Sequence, residues 1–412
     1  MPSTLFKGYA LIDCNNFFVS CERVFKPHLN RVPVAVLSNN DGCFIARSKE
    51  VRALGIPMGA PLFKYKHLVE RHSIVTFSSN FKLYGDFSDR VMRIIGDFSP
   101  DLEIYSIDEA FVPITIQTEE DLIALRKKIY KWTSIPVSIG LAPTKTLAKL
   151  ANYLAKKEER GIYSLMNPKD HNAALEQVPI QEVWGIGRGF TQKLTLHNIK
   201  TAYNFKNASE DWIKKKMGLS GLRTHLEIKG INCSAPEIKD SKRKSLIYSK
   251  SFGSPIIKLA QLKEAVAHYS SKAAEKIRRK GYKARLFSLY LKLKDESLYE
   301  SAHLNHASNS SLVYIETALH LLKKLYKEGK YLKAGIYLYD LVPSKESQLS
   351  LFEQEDPRHL KLMSTLDEVN CKYGQNTLFF ASEGLSRPWA YRRNNLSAEY
   401  TTKWKDFPIF KI

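Results

Sequence analysis

The run from Leu102 to Ile114 is largely apolar, and near its centre Asp108 and Glu109 stand side by side. Strand alternation sets Ile104, Ser106, Asp108, Ala110 and Val112 on one face, and Tyr105, Ile107, Glu109 and Phe111 on the other. A flat central strand with this pattern buries at least one carboxylate, which is costly unless the charge is paired or bound to a cation. A tight hairpin turn at Asp108-Glu109 removes the conflict, because turn residues escape the alternation and both acids can face one site. An edge strand carrying two solvated acids accounts for the same run at least as well, since Asp-Glu pairs are common.

A second element tips the balance. Tyr9-Ala10-Leu11-Ile12 is a short apolar strand that ends on Asp13, followed by Cys14-Asn15-Asn16-Phe17-Phe18. A strand ending in Asp and a hairpin with Asp-Glu at its turn can put three carboxylates around a hard divalent cation. Mg²⁺ prefers oxygen ligands, usually one or two carboxylates together with substrate phosphates. Two such ions about 3.5–4 Å apart clamp the attacking and leaving oxygens of a phosphoryl transfer.

The length of 412 residues predicts roughly two to four domains. No apolar run approaches the ~18 residues that span a bilayer, and the N-terminal residues lack a signal-peptide apolar region. The expected location is the cytoplasm, with no membrane partner. Cys14, Cys21, Cys43, Cys233 and Cys371 form no C-x-x-C pair, which fits reduced thiols rather than a disulfide framework or a zinc site. The net charge is +21. From Lys242 to Lys294, fifteen Lys and Arg face two acids, Glu264 and Glu275, so this one segment carries over half of the excess. A polyanion such as nucleic acid is its natural partner.

Along the chain, residues 32–37 read as a second buried strand. The mixed, basic stretch Phe44 to Arg52, with Arg47, Lys49 and Arg52, is expected to begin a helix that stops at Gly55; its cations suit a triphosphate if they fall near the Asp13 strand, and a charged helix face fits them as well. Phe87 to Phe98 and Leu122 to Trp132 have helical spacing, and Val137 to Leu141 reads as a strand. Ala142-Pro143-Thr144 starts an amphipathic helix with an apolar stripe of Leu147, Leu150, Ala151 and Leu154, and with Lys145, Lys149, Lys156 and Lys157 as its charges. Strands and helices mix without a regular βαβ repeat, which predicts an α+β layer over residues 1–165.

Trp184-Gly185-Ile186-Gly187 lies between two short predicted helices. Such a helix-hairpin-helix can hold a DNA phosphate on its backbone N–H groups, and a plain interhelical turn fits the same residues. Residues 238–244 read as a basic linker, and 245–343 as a βαββαβ domain whose basic face meets DNA backbone, with Arg243, Lys250 and Arg285 as candidate contacts. The tail from Ser344 has little periodicity apart from a helix near Leu360 to Tyr373. It holds Gln348-Leu349-Ser350-Leu351-Phe352, an apolar triplet with a Gln anchor that resembles a docking peptide, and a short collapse onto the preceding domain fits the same five residues. Further on, Trp389, Tyr391, Tyr400, Trp404 and Phe407 sit among basic residues, a composition suited to stacking on bases or filling a partner's groove.

Five stretches in order resemble the Y-family of translesion DNA polymerases, and within it the UmuC branch: Ile12 to Phe18, Val36 to Cys43, Ser106 to Ala110, Ala142 to Lys149, and Trp184 to Gly187. The tail agrees, since Gln348, Leu349, Leu351 and Phe352 resemble a sliding-clamp peptide and Tyr400 to Trp404 resembles the ending of that branch.

The resemblance implies an α+β right-hand polymerase. Its palm covers 1–16 and 80–166, its fingers 17–79, its thumb 167–237 and its little finger 245–343, with a C-terminal tail from 344. It gives Asp13, Asp108 and Glu109 as catalytic ligands of two Mg²⁺ ions, joined by the Cys14 carbonyl. Asn16 and Phe17 touch the dNTP phosphates through their backbone, Phe18 is the gate against a ribose 2′-OH, and Arg52 and Lys156 hold the triphosphate. Lys49 stands where many relatives have a phosphate-binding Tyr, so it acts there only as a point charge. The implied function is error-prone, template-directed DNA synthesis past damaged bases in repair and the SOS response. The implied partners are primer-template DNA, dNTP and a sliding clamp, together with the UmuD dimer and RecA filament that serve relatives of the UmuC branch. A metal-dependent nuclease and a non-catalytic, clamp-tethered scaffold are the rival classes that the residues alone leave open.

Overall fold

The computed structural model describes residues 7–115, 117–233, 243–346 and 357–409. These fall into two compact units, the first drawn from Met1–Leu37, Phe44–Asp240 and Asn395–Ile412, the second from Ser38–Cys43 and Ser241–Asn394. The described helices include none long and apolar enough to cross a membrane.

The first unit begins with β1 (Gly8–Cys14), α1 (Phe17–Val24), β2 (Val34–Leu37), β3 (Phe44–Arg47), α2 (Lys49–Ala53), α3 (Lys66–Arg71), β4 (Val75–Ser78) and α4 (Phe81–Phe98). It continues with β5 (Glu103–Ile104), β6 (Glu109–Ile114), α5 (Glu119–Thr133), β7 (Val137–Ala142), α6 (Lys145–Ala155) and β8 (Ile162–Ser164). Four helices follow: α7 (His171–Glu176), α8 (Arg188–Leu196), α9 (Ala202–Lys206) and α10 (Glu210–Ile228), the last interrupted at Gly218.

A five-stranded sheet in the order β5-β6-β1-β7-β8 is the centre of this unit. β1 is antiparallel to both neighbours, with Leu11 opposite Phe111 on β6 and opposite Gly140 on β7. A strand covered on both faces reads as an unbroken apolar run, and Tyr9 to Ile12 is such a run. Ala10, Ile12 and Cys14 enter one core with α4 and α5 residues such as Val91, Ile95, Leu122 and Ile129. Tyr9, Leu11 and Phe111 enter the opposite core, with the α6 stripe Leu147, Leu150, Ala151 and Leu154 and residues of α8 to α10. α6 lies so close to β7 that a Cβ on Gly140 would stand 2.2 Å from the Asn152 nitrogen and 2.3 Å from the Ala148 oxygen. The helix starts on a Thr144 N-cap whose side chain accepts the Leu147 N–H. A smaller sheet, β3-β2-β4, packs with α2 around Leu37, Phe44, Val51 and Ile56.

The second unit carries β9 (Ser245–Ile256), α11 (Leu259–Arg279), β10 (Tyr282–Leu293), β11 (Ser297–Ser308), α12 (Ser311–Leu325) and β12 (Tyr331–Pro343), followed by α13 (Pro357–Tyr373). Its antiparallel sheet has the order β11-β10-β12-β9. Phe287, Leu289 and Leu291 alternate into a core filled by Leu262, Val266, Tyr269 and Ile277 of α11 and Tyr314 and Leu321 of α12.

Three sequence expectations are corrected. Phe44 to Arg47 is a strand, not the start of a helix; the helix begins only after Ser48, whose side chain accepts the Val51 N–H. The hairpin turn lies before Glu109 rather than at Asp108-Glu109, because Glu109 is already paired in β6 and its carbonyl accepts the N–H groups of Tyr105 and Ser106. Trp389 is no free stacking surface: it is 3% exposed in the second unit's core, edge-on to Tyr269 at 5.7 Å. Tyr400 is likewise engaged, stacked on Phe25 at 4.3 Å, while Trp404 is 86% exposed. The Gln348 to Phe352 peptide lies outside the described residues.

Candidate active site

Antiparallel register puts Asp13, near the end of β1, directly opposite Glu109, the first residue of β6. The turn that leads into β6 is tied by Ser106. Its hydroxyl donates to Asp108 Oδ1 (2.6 Å) and accepts the backbone N–H groups of Asp108 (3.3 Å) and Glu109 (3.2 Å). The Asp108 carbonyl in turn accepts the Cys14 N–H (2.8 Å). Two strand ends 95 residues apart in sequence (13 to 108) thus bring Asp13, Asp108 and Glu109 to one end of the sheet.

Helix α6 and the residue just after it supply the opposite charge. Lys145, Lys149 and Lys156 are spaced four and seven apart, which places them along one side of the helix. They pair with Glu103 (2.6 Å), Glu109 (2.8 Å) and Asp13 (2.8 Å) respectively. These lysines are therefore not a solvated stripe. Lys145 is buried, and the Lys149 ammonium lies over the rings of Tyr105 (4.4 Å) and Trp184 (5.3 Å). Burial is the main cause that pushes the Asp13 carboxyl up to about 6; Lys156 opposes the shift, and Asp108 and Glu109 add to it. Among the described residues, no three acidic, imidazole or thiol side chains are gathered closely enough for a single metal ion. Lys149 draws the Glu109 carboxylate and Lys156 draws that of Asp13.

Asp13 and Asp108, though not Glu109, line a cavity of about 230 Å³ together with Cys14, Asn16, Phe17, Phe18, Ile45, Ala46, Arg47, Arg52, Met58 and Lys156. A second cavity of about 390 Å³ is lined by Asn15, Asn16, Lys49, Arg52 and Lys156. Asn16 adopts a left-handed backbone (φ 48°, ψ 44°) at the start of α1, a conformation that Asn tolerates better than most residues. Its side-chain oxygen accepts from the Arg52 guanidinium. Phe18 stacks on Tyr84 (4.6 Å between centroids, 16° between planes) and meets Phe81 edge-on at 5.9 Å. Arg47 is a lining residue that sequence reasoning noted only as part of a basic run. As part of a strand rather than a helix, it shares the cavity with Ile45, and its guanidinium donates to the Ile56 carbonyl. Met58 carried no signal in the sequence.

The remaining candidates lie elsewhere. Gly185 has φ +83° and Gly187 is the N-cap of α8, so the Gly-Ile-Gly hairpin enters that helix. In the second unit Arg243 is exposed, Lys250 lies over the Tyr391 ring at 4.0 Å, and Arg285 stands 3.9 Å from Asp340.

Comparison with known proteins bears on the whole chain. Residues 12–153 match the impB/mucB/samB family, residues 243–351 its C-terminal domain, and residues 360–409 a domain of unknown function. The chain is 39% identical to Protein UmuC of Salmonella typhimurium over 97% of this chain and 99% of that protein. It is 37% identical to Protein ImpB of the same organism over 98% and 100%. It is also 28% identical to DNA polymerase IV of Bacillus velezensis over 89% and 91%. Among solved structures, a Y-family DNA polymerase chimera of Dbh and Dpo4 matches with a TM-score of 0.66 at 21% identity, covering 81% of this chain and 99% of the other. DinB from Sulfolobus solfataricus matches with a TM-score of 0.54, covering 80% and 98%. The α+β fold described above is thus the Y-family polymerase fold.

Proposed function

The chain belongs to the impB/mucB/samB family, and from that premise we propose that it is a template-directed, error-prone DNA polymerase that copies past damaged bases in DNA repair and the SOS response. The observation that carries the reading is the joining of Asp13 and Asp108 to Arg47, Arg52 and Lys156 around one cavity. Acids beside several fixed cations suit a metal-bound triphosphate better than either a nuclease centre or an inert scaffold.

The donor set fits Mg²⁺. Asp13, Asp108, Glu109 and the Cys14 carbonyl are all hard oxygen donors. Burial, with Asp108 and Glu109 beside it, raises the Asp13 carboxyl despite Lys156, an environment that a further cation would relieve. These four groups would hold two divalent ions. Bound there, the ions supply Lewis-acid activation of the primer 3′-OH and neutralise the departing pyrophosphate.

The chain's own groups do the rest. Lys156, Arg52 and Lys49 hold the triphosphate, and the backbone at Asn16 and Phe17 completes its cradle. Phe18 presents a ring where a ribose 2′-OH would sit. Gly185 and Gly187 hold primer-template backbone, and Arg243, Lys250 and Arg285 extend that grip across the second unit. On this reading residues 1–16 and 80–166 are the palm, 17–79 the fingers, 167–237 the thumb and 245–343 the little finger. Gln348, Leu349, Leu351 and Phe352 tether the enzyme to a sliding clamp, and a UmuD dimer and RecA filament are its further partners in the cytoplasm.

Primer extension tests the reading. Asp108→Ala is expected to abolish nucleotide addition while primer-template binding stays nearly intact. Normal extension by that variant, or strand cleavage without dNTP by the native chain, would overturn it.

A further inference from the structure

Ser397 lies 379 residues from Phe18 in sequence (18 to 397), yet its segment is built into the support of the Phe18 ring. Leu396 forms a parallel bridge with Ser78 at the end of β4. The Ser78 N–H donates to the Asn395 carbonyl (2.9 Å), and the Asn395 N–H donates to the Ser78 hydroxyl (3.0 Å). The Asn80 amide donates to the Ser397 carbonyl (3.2 Å), the Ser397 hydroxyl (3.0 Å) and the Ala398 carbonyl (3.1 Å). Tyr400 completes the attachment by stacking on Phe25.

Two routes lead from this segment to Phe18. The Ser397 hydroxyl donates to Glu22 Oε1 (2.9 Å), and the Tyr84 hydroxyl donates to the same oxygen (2.6 Å). The Tyr84 ring is the surface on which Phe18 lies flat. Asn80 provides the second route. Its side-chain oxygen caps α4 by accepting the Leu83 N–H, and that first turn of α4 carries Phe81 and Tyr84, two of the rings that touch Phe18. Glu22 is 0% exposed, and its other oxygen is buried with no hydrogen-bond partner among the described residues. A carboxyl held in this way depends on its two hydroxyl donors, so losing either one leaves it short of a partner and loosens the seat of the Tyr84 ring.

We infer that Asn395–Tyr400 is a positioning element for the sugar gate: Ser397, acting through Glu22 and Tyr84, fixes the plane of Phe18 and thereby sets discrimination between deoxyribo- and ribonucleotides. The inference rests on the reading of Phe18 as that gate.

The test is single-nucleotide incorporation by the full chain with a dNTP and its matching rNTP, comparing native protein with Ser397→Ala, Ser397→Thr, Tyr84→Phe and Phe18→Ala. Ser397→Ala and Tyr84→Phe are expected to lower the dNTP-to-rNTP ratio of kcat/KM by about fivefold or more, while dNTP incorporation stays within about twofold of native. Ser397→Thr, which keeps the hydroxyl, is expected to retain most of the native ratio. If Phe18→Ala relaxes the ratio but Ser397→Ala, folded with a native melting temperature, does not, the positioning role falls and the gate stands. If Ser397→Ala slows dNTP and rNTP alike, its role is only structural and the inference fails. If Phe18→Ala itself leaves the ratio unchanged, the gate reading is what fails, and the inference falls with it. Should Tyr84→Phe not fold, Ser397→Ala decides alone.

Discussion

Asp13 and Glu109 face one another across β1 and β6, yet their carboxylates turn to different lysines of one helical segment, Asp13 to Lys156 and Glu109 to Lys149. The acids are therefore held in place by cations of the chain itself, and the charge balance of the cavity depends on α6 as much as on the sheet.

Lys156→Met removes the largest influence that opposes the upward shift of Asp13. In metal-free protein the Asp13 carboxyl, already at about 6, is expected to titrate at a higher pH in this variant. A carboxyl-carbon NMR titration reads the shift, and an unmoved or lowered midpoint would contradict the pairing.

Gly140→Ala places a methyl group 2.2 Å from the Asn152 nitrogen and 2.3 Å from the Ala148 oxygen, both of them backbone atoms. Neither can swing aside as a side chain can, so α6 must move away from β7. A loss of about 1–3 kcal/mol or more is expected, together with weaker nucleotide binding because Lys156 moves with the helix. A urea denaturation midpoint equal to that of the native protein would refute the close packing.

His225 gives a pH dependence of stability. Its Nδ1–H donates to the Phe205 carbonyl (2.9 Å), and its Nε2 is buried without a partner among the described residues. Burial first, and then Lys229, hold its pKa below the usual imidazole value. The folded state therefore binds a proton less readily than the unfolded chain. The stability tied to this group is complete above the unfolded pKa of about 6.5 and is lost as pH falls below it. Urea midpoints measured between neutral and mildly acidic pH should fall more steeply for the native chain than for His225→Gln, and parallel curves would exclude the effect.

Replacing Arg243, Lys250 and Arg285 together with Ala is expected to weaken primer-template binding and flatten its salt dependence, by about 0.9 in log–log slope for each DNA phosphate that the protein no longer neutralises. Binding isotherms over a salt series check this. Weaker binding at an unchanged slope would mean that the three cations do not meet DNA backbone.

Much of the frame was legible because periodicity reports burial. The β1 run, the α6 stripe and the alternation of Phe287, Leu289 and Leu291 each show in sequence which side faces a core. The β3 strand was not legible, because Phe44 to Arg47 is only four residues long and runs directly into the Ser48 cap of α2. The inward turn of Lys145 and Lys149 was also hidden, since a lysine's partner lies on another element and leaves no trace in local spacing. The same applies to the hydrogen bonds between Asn80 and Ser397, whose residues are 317 positions apart, and to the burial of Trp389 among His268, Tyr269 and Phe252.

Because β1 is hydrogen-bonded along both edges and covered on both faces, Asp13 has almost no freedom to drift, whereas Asp108 sits in a turn and Glu109 at a strand mouth. Any adjustment to substrates of different shape must then be made by the acidic turn and the lysines opposite it, with Asp13 as the fixed reference against which they move.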